Sequence, residues 1–229
     1  MPFSDLPERV AEVRGRIEAA AARGGHGQAV TLVAVTKTHG PDAVDAVVRA
    51  GVPDVGENRV QEALPKMDAV TVDARWHLIG HLQRNKVKAL SRFVLLHSLD
   101  RSELADVVDG LGRAMGRTFD VLMQVNVSGE ATKGGYGPAQ WEAAADHLRG
   151  LTGLRVRGVM TMAPLDAHEA ELRAVFAGAR RAREVLRAAG HDAAMLSMGM
   201  SNDYEIAVEE GATCVRLGTV LFGARAHDR

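Results

Sequence analysis

The chain has 229 residues, 46% of them hydrophobic and 25% charged, so it can bury one large core or two small ones. Its net charge of −1, from 28 basic and 29 acidic residues, excludes a global basic field that would hold nucleic acid or an anionic membrane. The single cysteine, Cys214, excludes an intramolecular disulfide and a four-thiolate zinc site.

The sequence contains neither the apolar core of a signal peptide at its N-terminus nor an apolar run of membrane-spanning length. Together with the low cysteine content, this predicts a soluble, cytoplasmic protein.

Apolar residues recur every three or four positions over residues 5–23, which predicts an amphipathic opening helix. Short apolar runs then alternate with helical segments. We predict strands at 31–37, 53–57, 76–79, 93–97, 119–126, 155–160, 194–197 and 214–217. The clearest helices are predicted at 42–50, 58–67, 83–88, 102–115 and 166–188.

This alternation predicts an α/β fold, a closed (β/α)₈ barrel of the TIM type with an extra N-terminal helix. An open doubly wound sheet is the alternative. Because no linker or composition shift interrupts the pattern, residues 1–229 are predicted to form a single domain.

Sites in such barrels form at the carboxyl ends of the strands, and a ring of mostly polar residues follows the apolar runs. The candidates are Lys37, Glu57, Asn58, His81, Ser98, Asn126, Met160, Met162, Ser197, Ser201, Arg216 and Thr219.

Lys37 stands at the end of the apolar run 31–36, just before Gly40-Pro41 breaks the strand. Burial lowers the pKa of an amine and makes neutral nitrogen available for a Schiff base. The simpler alternative is a lysine that reaches from a strand end to water. The other four lysines are predicted to lie in polar, helical or loop surroundings, so Lys37 alone has an apolar approach.

Two glycine- and hydroxyl-containing segments, 197–203 and 216–223, follow the last two predicted strands. Backbone N–H groups at helix starts, together with serine or threonine hydroxyls, bind a phosphate dianion, and this part of a barrel commonly carries such a site. The alternative is that Ser201 with Asn202, and Gly218 with Thr219, only cap helices. The two roles are compatible.

Arg216 lies inside the last apolar strand, where a guanidinium without an acceptor is expensive. One acceptor is a carboxylate such as that of Glu57 or Asp203. The other is a heterocyclic nitrogen such as the pyridine nitrogen of pyridoxal phosphate, which an arginine would keep unprotonated, making the ring a weaker electron sink.

Two further signals carry less weight. His77 and His81 are four residues apart but fall in or after a strand, so they are not predicted to share a face as metal ligands, and no metal is expected. Cys214 is interpreted as a small core residue.

Several motifs together resemble the pyridoxal phosphate homeostasis protein family, from about residue 30 to 225. They are residues 33–38, VAVTKT; 56–62, GENRVQE; 76–83, WHLIGHLQ; 126–134, NVSGEATKG; 158–162, GVMTM; 196–201, LSMGMS; 216–219, RLGT; and 222–225, FGAR.

The resemblance implies a barrel like the alanine racemase N-terminal domain with covalently bound pyridoxal 5′-phosphate. It implies that Lys37 forms the Schiff base, that Ser201, Gly218 and Thr219 lie at the phosphate, that Arg216 faces the pyridine nitrogen, and that Asn58 neighbours the ring.

Catalysis needs more than the cofactor, since racemisation requires a base on each face of the α-carbon. The chain has two tyrosines, Tyr136 and Tyr204, and no second domain to supply a base as in the racemase. We therefore favour a non-catalytic carrier in vitamin B6 and amino-acid homeostasis, with apo pyridoxal phosphate enzymes as partners and a monomer preferred over a dimer. The alternatives are a racemase, decarboxylase or deaminase, and an aldolase that uses Lys37 without cofactor.

Overall fold

Eight parallel strands close into a barrel in the computed structural model, which describes residues 3–129 and 134–223. The strands are β1 Thr31–Val35, β2 Asp54–Glu57, β3 Arg75–Leu78, β4 Leu95–Leu99, β5 Phe119–Gln124, β6 Leu154–Met160, β7 Met195–Ser197 and β8 Cys214–Leu217. Each strand pairs with the next, and β8 returns to β1, where Arg216 lies opposite Val33. The predicted closed barrel is confirmed, and the open sheet is wrong.

The helices cover the outside of this barrel. They are α1 Leu6–Gly24, α2 Pro41–Arg49, α3 Val60–Ala69, α4 Ser102–Met115, α5 Trp141–Arg149, α6 Glu169–Ala188, α7 Tyr204–Glu209 and α8 Thr219–Phe222. The predicted opening helix, α1, buries Leu6, Val10, Val13 and Ile17, and it packs on α7 and α8. Among the described residues, no helix is both long and apolar enough to cross a membrane.

Some boundaries differ from the sequence prediction. The segment Arg84–Arg92 is a 3₁₀ helix, whose i→i+3 bonds suit a short connector. Strand β4 begins at Leu95 instead of residue 93, because the N–H of Phe93 still bonds to the carbonyl of Leu90. Helix α5 was not predicted, although Trp141, Ala144, Ala145 and Leu148 repeat at helical spacing and are buried.

The large apolar core lies between the strands and the helices, while a second, smaller cluster lies apart from it. The small cluster consists of Leu95, Leu122 and Met160, with Met162 and Met195 packed on it. Side chains alternate across a strand, so residues two positions from these point the same way. His97 and Ser197, two residues after Leu95 and Met195, therefore face the barrel interior with this cluster.

Candidate functional site

A cavity of about 550 Å³ lies at the carboxyl ends of the strands. Residues at the ends of all eight strands or in the loops after them line it, mostly polar side chains and glycines, with Met162, Leu165 and Ala167 after β6 as an apolar part. Those that matter here are Lys37, Asn58, Gly80, His81, Asp100, Gln124, Ser201, Asp203, Arg216, Gly218 and Thr219. All six residues named by the sequence resemblance, Lys37, Asn58, Ser201, Arg216, Gly218 and Thr219, thus share one cavity.

Lys37 follows β1 at a sharp change of chain direction. The preceding Thr36 is fully buried, and its carbonyl accepts a bond from the N–H of His39 at 3.1 Å. The next residue, Thr38, has a φ of 69°, a left-handed conformation that is uncommon for a β-branched residue. Lys37 therefore leaves the buried strand and lines the cavity at its wall, half-buried.

Lys66 is buried, although only Lys37 was predicted to have an apolar approach. Lys66 on α3 is 7% exposed, and its Nζ lies 2.5 Å from Glu57 Oε1 and 2.8 Å from the carbonyl oxygen of Thr36. Because α3 packs on the outside of β2, the outward-facing Glu57 meets Lys66 there instead of joining the cavity. The charged partner of Lys66 was not visible in the sequence pattern.

The loop after β7 and the start of α8 meet at one hydroxyl. Ser201 Oγ accepts hydrogen bonds from the backbone N–H groups of Gly218 and Val220, both at 3.3 Å. Thr219 lies between these two residues, and its side chain is exposed. Ser201 thus caps across to α8, and Ser201, Gly218 and Thr219 line the cavity, where their donors could hold an anion.

Arg216 is 4% exposed, and it pairs with neither of the carboxylates proposed from sequence. Its Nη1 donates to Ser197 Oγ at 2.6 Å and its Nη2 to the carbonyl of Thr161 at 2.9 Å. Glu57 is bound to Lys66, and no carboxylate among the described residues lies within 4.0 Å of the guanidinium. A guanidinium carries five N–H donors, so donors remain on the edge that lines the cavity.

The opposite wall carries groups that the predicted ring either omitted or gave no role. His81 Nδ1 lies 3.0 Å from Asp100 Oδ2, a carboxylate that also binds Arg101. Gln124 Nε2 donates to the carbonyl of Gly134 at 2.8 Å. Asp100 and Gln124 are polar residues at the ends of apolar runs, which is the signal that would have identified them.

Asp203 also lines the cavity and was missed as a site residue. Burial raises the pKa of its carboxyl above the usual range, against the opposing effect of the Met200 N–H, which donates to Asp203 Oδ1 at 2.6 Å.

Other members of the predicted ring lie elsewhere. Ser98 donates to the carbonyl of Gly80 at 2.6 Å, and Ser197 lies beneath Arg216 in the barrel interior. Ser98, Asn126, Met160 and Ser197 are absent from the cavity lining, whereas Met162 is part of it. Burial raises the pKa of the Cys214 thiol to about 11, as expected for a core residue.

Parts of the quoted motifs lie outside the described residues, namely residues 130–133, which include Lys133, and residues 224 and 225. Within the described part of the chain, no group of three or more histidine, cysteine, aspartate or glutamate side chains is placed to hold a metal ion.

The barrel and its lysine-lined cavity define a class of protein. The alanine racemase N-terminal domain family matches residues 10–226. The solved alanine racemase of Corynebacterium glutamicum shares the fold with a TM-score of 0.70 at 18% identity, over 93% of this chain and 63% of that one.

Within this class, the similarity is much higher to one group. The pyridoxal phosphate homeostasis protein of Aquifex aeolicus is 42% identical over 96% of this chain and 98% of its own length. PipY of Synechococcus elongatus, solved with pyridoxal phosphate bound, is 38% identical with a TM-score of 0.84, over 95% of this chain and all of that one. The chain belongs to the pyridoxal phosphate homeostasis protein family.

Proposed function

We propose that this chain binds pyridoxal 5′-phosphate as a Schiff base on Lys37 and serves in intracellular vitamin B6 and amino-acid homeostasis. The observation that carries the proposal is the convergence of an amine, a hydroxyl-and-amide cluster and a buried guanidinium on one cavity of about 550 Å³. That volume accommodates one small cofactor. The cofactor bound to the similar PipY supports the same ligand.

Each group fits one part of the cofactor. Lys37 supplies the amine for the aldehyde, and Ser201 with the backbone of Gly218 and Thr219 supplies donors for the phosphate. Arg216 would supply an N–H for the pyridine nitrogen, and Asn58, on the same cavity lining, would neighbour the ring. When bound, pyridoxal phosphate supplies an electron sink for negative charge at carbon, and an arginine at its nitrogen keeps that sink weak.

The proposal includes a non-catalytic role for a single domain spanning 1–229. A strong electron sink and two opposed bases are what amino-acid chemistry needs, and the described cavity lining contains no tyrosine. We extend it to cofactor transfer to apo pyridoxal phosphate enzymes, in the cytoplasm, by a monomer.

The absorbance spectrum of the purified protein tests cofactor binding. With pyridoxal phosphate, the wild type is expected to gain the band of a lysine Schiff base, and Lys37→Ala is expected to lack it while remaining folded. Lys88→Ala, at an exposed position, is the matched control and should keep the band. A colourless wild type would overturn the proposal. In that case, borohydride trapping of a carbonyl substrate on Lys37 would point to an aldolase.

A pyridoxal phosphate enzyme of the racemase or decarboxylase type is a second candidate, favoured by one observation. His81 is oriented by Asp100 on the wall of the cavity that Lys37 also lines, which gives the site a second acid–base group. Incubation of the loaded protein with L- and D-amino acids decides between the two functions. Sustained turnover that His81→Gln abolishes would establish the enzyme, whereas stable amino acids would support the carrier.

A further inference from the structure

A chain of buried polar side chains runs through the barrel interior, away from the cavity. Below Arg216, Ser197 Oγ lies 2.8 Å from His97 Nδ1. His97 Nε2 lies 3.0 Å from His77 Nδ1, and His77 Nε2 lies 2.9 Å from Asp54 Oδ1. All five residues are buried, with exposures of 0% to 5%. The chain thus links the cavity wall to the first residue of β2, at the amino-terminal end of the barrel.

The chemistry at the two ends sets the direction of every hydrogen bond. A guanidinium can only donate, and an ionised carboxylate can only accept. Burial alone would raise the pKa of Asp54, but hydrogen bonds from His77 and Arg75 outweigh it, and the pKa lies below its usual range. Ser197 accepts from Arg216 and donates to His97, which donates through Nε2–H to His77; His77 donates through Nε2–H to Asp54.

This arrangement requires both histidines to be neutral, with the proton on Nε2. The reverse polarity would turn the Nε2 lone pair of a neutral His77 toward Asp54. It would therefore need a second proton on His77, which would make that ring a further buried cation. Burial holds the pKa of His97 well below its ordinary value, and the nearby charge of Arg216 lowers it further. The neutral form of His97 is therefore the favoured one.

The aligned hydrogen bonds also explain how Arg216 keeps its charge. Its guanidinium is 4% exposed, with no carboxylate of the described residues within 4.0 Å, and burying such a charge is costly. In the chain, lone pairs point toward Arg216 and protons point toward Asp54, so each dipole stabilises both ends. Asp54 is in turn paired with the exposed Arg75, whose Nε lies 2.9 Å from Oδ1.

We propose that Asp54, His77, His97 and Ser197 are positioning residues that orient the Arg216 guanidinium and preserve its charge at the cavity wall. None of the four lines the cavity. They act through Arg216. The proposal therefore rests on the proposed function in one respect only, namely that Arg216 contacts pyridoxal phosphate. The direction of the hydrogen bonds from Arg216 to Asp54 is a property of the protein alone.

Nitrogen NMR of ¹⁵N-histidine-labelled, full-length protein without added cofactor tests the polarity. Spectra of His77→Gln and His97→Gln assign the two rings. We expect both rings to be neutral Nε2–H tautomers at neutral pH. In each variant, the ¹⁵N chemical shifts of the histidine that remains should still be those of a folded protein. A doubly protonated His77, or a proton on Nδ1 of His97, would overturn the proposed direction.

Spectrophotometric titration with pyridoxal phosphate tests the positioning role. Ser197→Ala is expected to keep the Schiff-base band but bind roughly tenfold more weakly, in line with the loss of one hydrogen bond to a charged group, and to shift the pH midpoint of the band. Ser197→Thr, which keeps a hydroxyl, should restore both. Asp54→Asn, which keeps the shape and removes the charge, should shift the midpoint in the same direction.

His147→Gln, at a surface histidine bound to Asp106, is the control and should titrate as the wild type does. If Ser197→Ala and Asp54→Asn also titrate as the wild type, the positioning role is wrong. A wild type without any band would instead refute the proposed function and leave the NMR result standing, so the two failures are distinguishable.

Discussion

Lys66 and Glu57 form an ion pair buried between β2 and α3, directly behind the backbone that leads into Lys37. Lys66 Nζ lies 2.5 Å from Glu57 Oε1 and also donates to the carbonyl of Thr36. Thr36 Oγ1 donates to the same carboxylate oxygen at 2.6 Å. This pair therefore joins α3 to the end of β1 and sets the path of the backbone just before Lys37.

Replacing Lys66 by methionine should destabilise the fold by about 3–5 kcal/mol, because it leaves the fully buried Glu57 charge without its cation. Glu57 Oε2 already lacks a hydrogen-bond partner among the described residues, so nothing there compensates for the loss. Denaturant unfolding monitored by circular dichroism measures the change.

The double variant Lys66→Met with Glu57→Leu should recover most of that stability, since it removes both charges. Arg59→Ala, which breaks the exposed pair with Glu62, is the control and should cost under about 1 kcal/mol. A Lys66→Met protein as stable as the control would show that the pair contributes little.

The double substitution Ser201→Ala with Thr219→Val should weaken retention of pyridoxal phosphate. Ser201 and Thr219 both line the cavity, where Ser201 Oγ also accepts hydrogen bonds from the N–H groups of Gly218 and Val220. Each lost charge-assisted bond to the phosphate is worth about 1.5–3 kcal/mol. We expect Kd to rise at least roughly tenfold, with the band of the Lys37 adduct recovered at saturation. Equilibrium dialysis measures it. Ser91→Ala is the surface control, and equal retention in both proteins would remove the phosphate assignment.

Stability should fall with acid through His97. Its pKa is depressed in the folded protein, so between that value and about 6.5 the unfolded chain binds the extra proton. Stability contributed by neutral His97 is thus fully present above pH of about 6.5 and declines below it, by up to about 1.4 kcal/mol per pH unit.

Unfolding free energies at several pH values, compared between the wild type and His97→Gln, measure this slope. The variant should lose one histidine's share of the slope, whereas His147→Gln, on the surface, should change it little. Parallel curves for the wild type and His97→Gln would mean that His97 titrates normally in the folded protein.

Gly80→Ala should distort the cavity. A Cβ at Gly80 would lie 2.2 Å from the carbonyl oxygen of Asn58 and 2.8 Å from its Cα, so backbone must move. We expect a loss of about 1–3 kcal/mol and weaker cofactor binding, because Asn58 and Gly80 both line the site. Thermal unfolding and cofactor titration measure the two effects.

Gly110→Ala is the matched control, since a Cβ there meets nothing within 4 Å on α4. It should stabilise the protein by roughly 0.4–1 kcal/mol, because alanine favours helix more than glycine does. If Gly80→Ala behaved like Gly110→Ala, the close approach to Asn58 would carry no consequence.

Much of the architecture follows from local pattern. Alternating apolar strands and amphipathic helices predicted the closed barrel, and residues at the strand ends predicted Lys37, Ser201 and Arg216 on one site. A parallel barrel brings the carboxyl ends of all its strands together, whatever lies between them in sequence. Helix α5 shows the limit of such prediction. Its apolar residues repeat at helical spacing, but the helix is only nine residues long, so the pattern is too short to stand out.

The local sequence pattern did not predict which groups pair with the buried charges. Arg216 was expected to need an acceptor, and Lys66 was expected in polar, helical or loop surroundings, but a sequence does not show which side chains meet across a barrel. Ser197 and His97 are 100 residues apart, and they touch only because β4 and β7 point them at the same interior.

By itself, the sequence determined the barrel, the place of Lys37 at the end of a strand and part of the polar lining of the cavity, because these depend on the order of apolar and polar residues along each strand. Only the tertiary structure decided that Glu57 belongs to Lys66 and that Arg216 is balanced through two histidines by Asp54. The physical reason is that desolvated charges must find partners in space, and closure of the sheet, not spacing along the chain, chooses those partners.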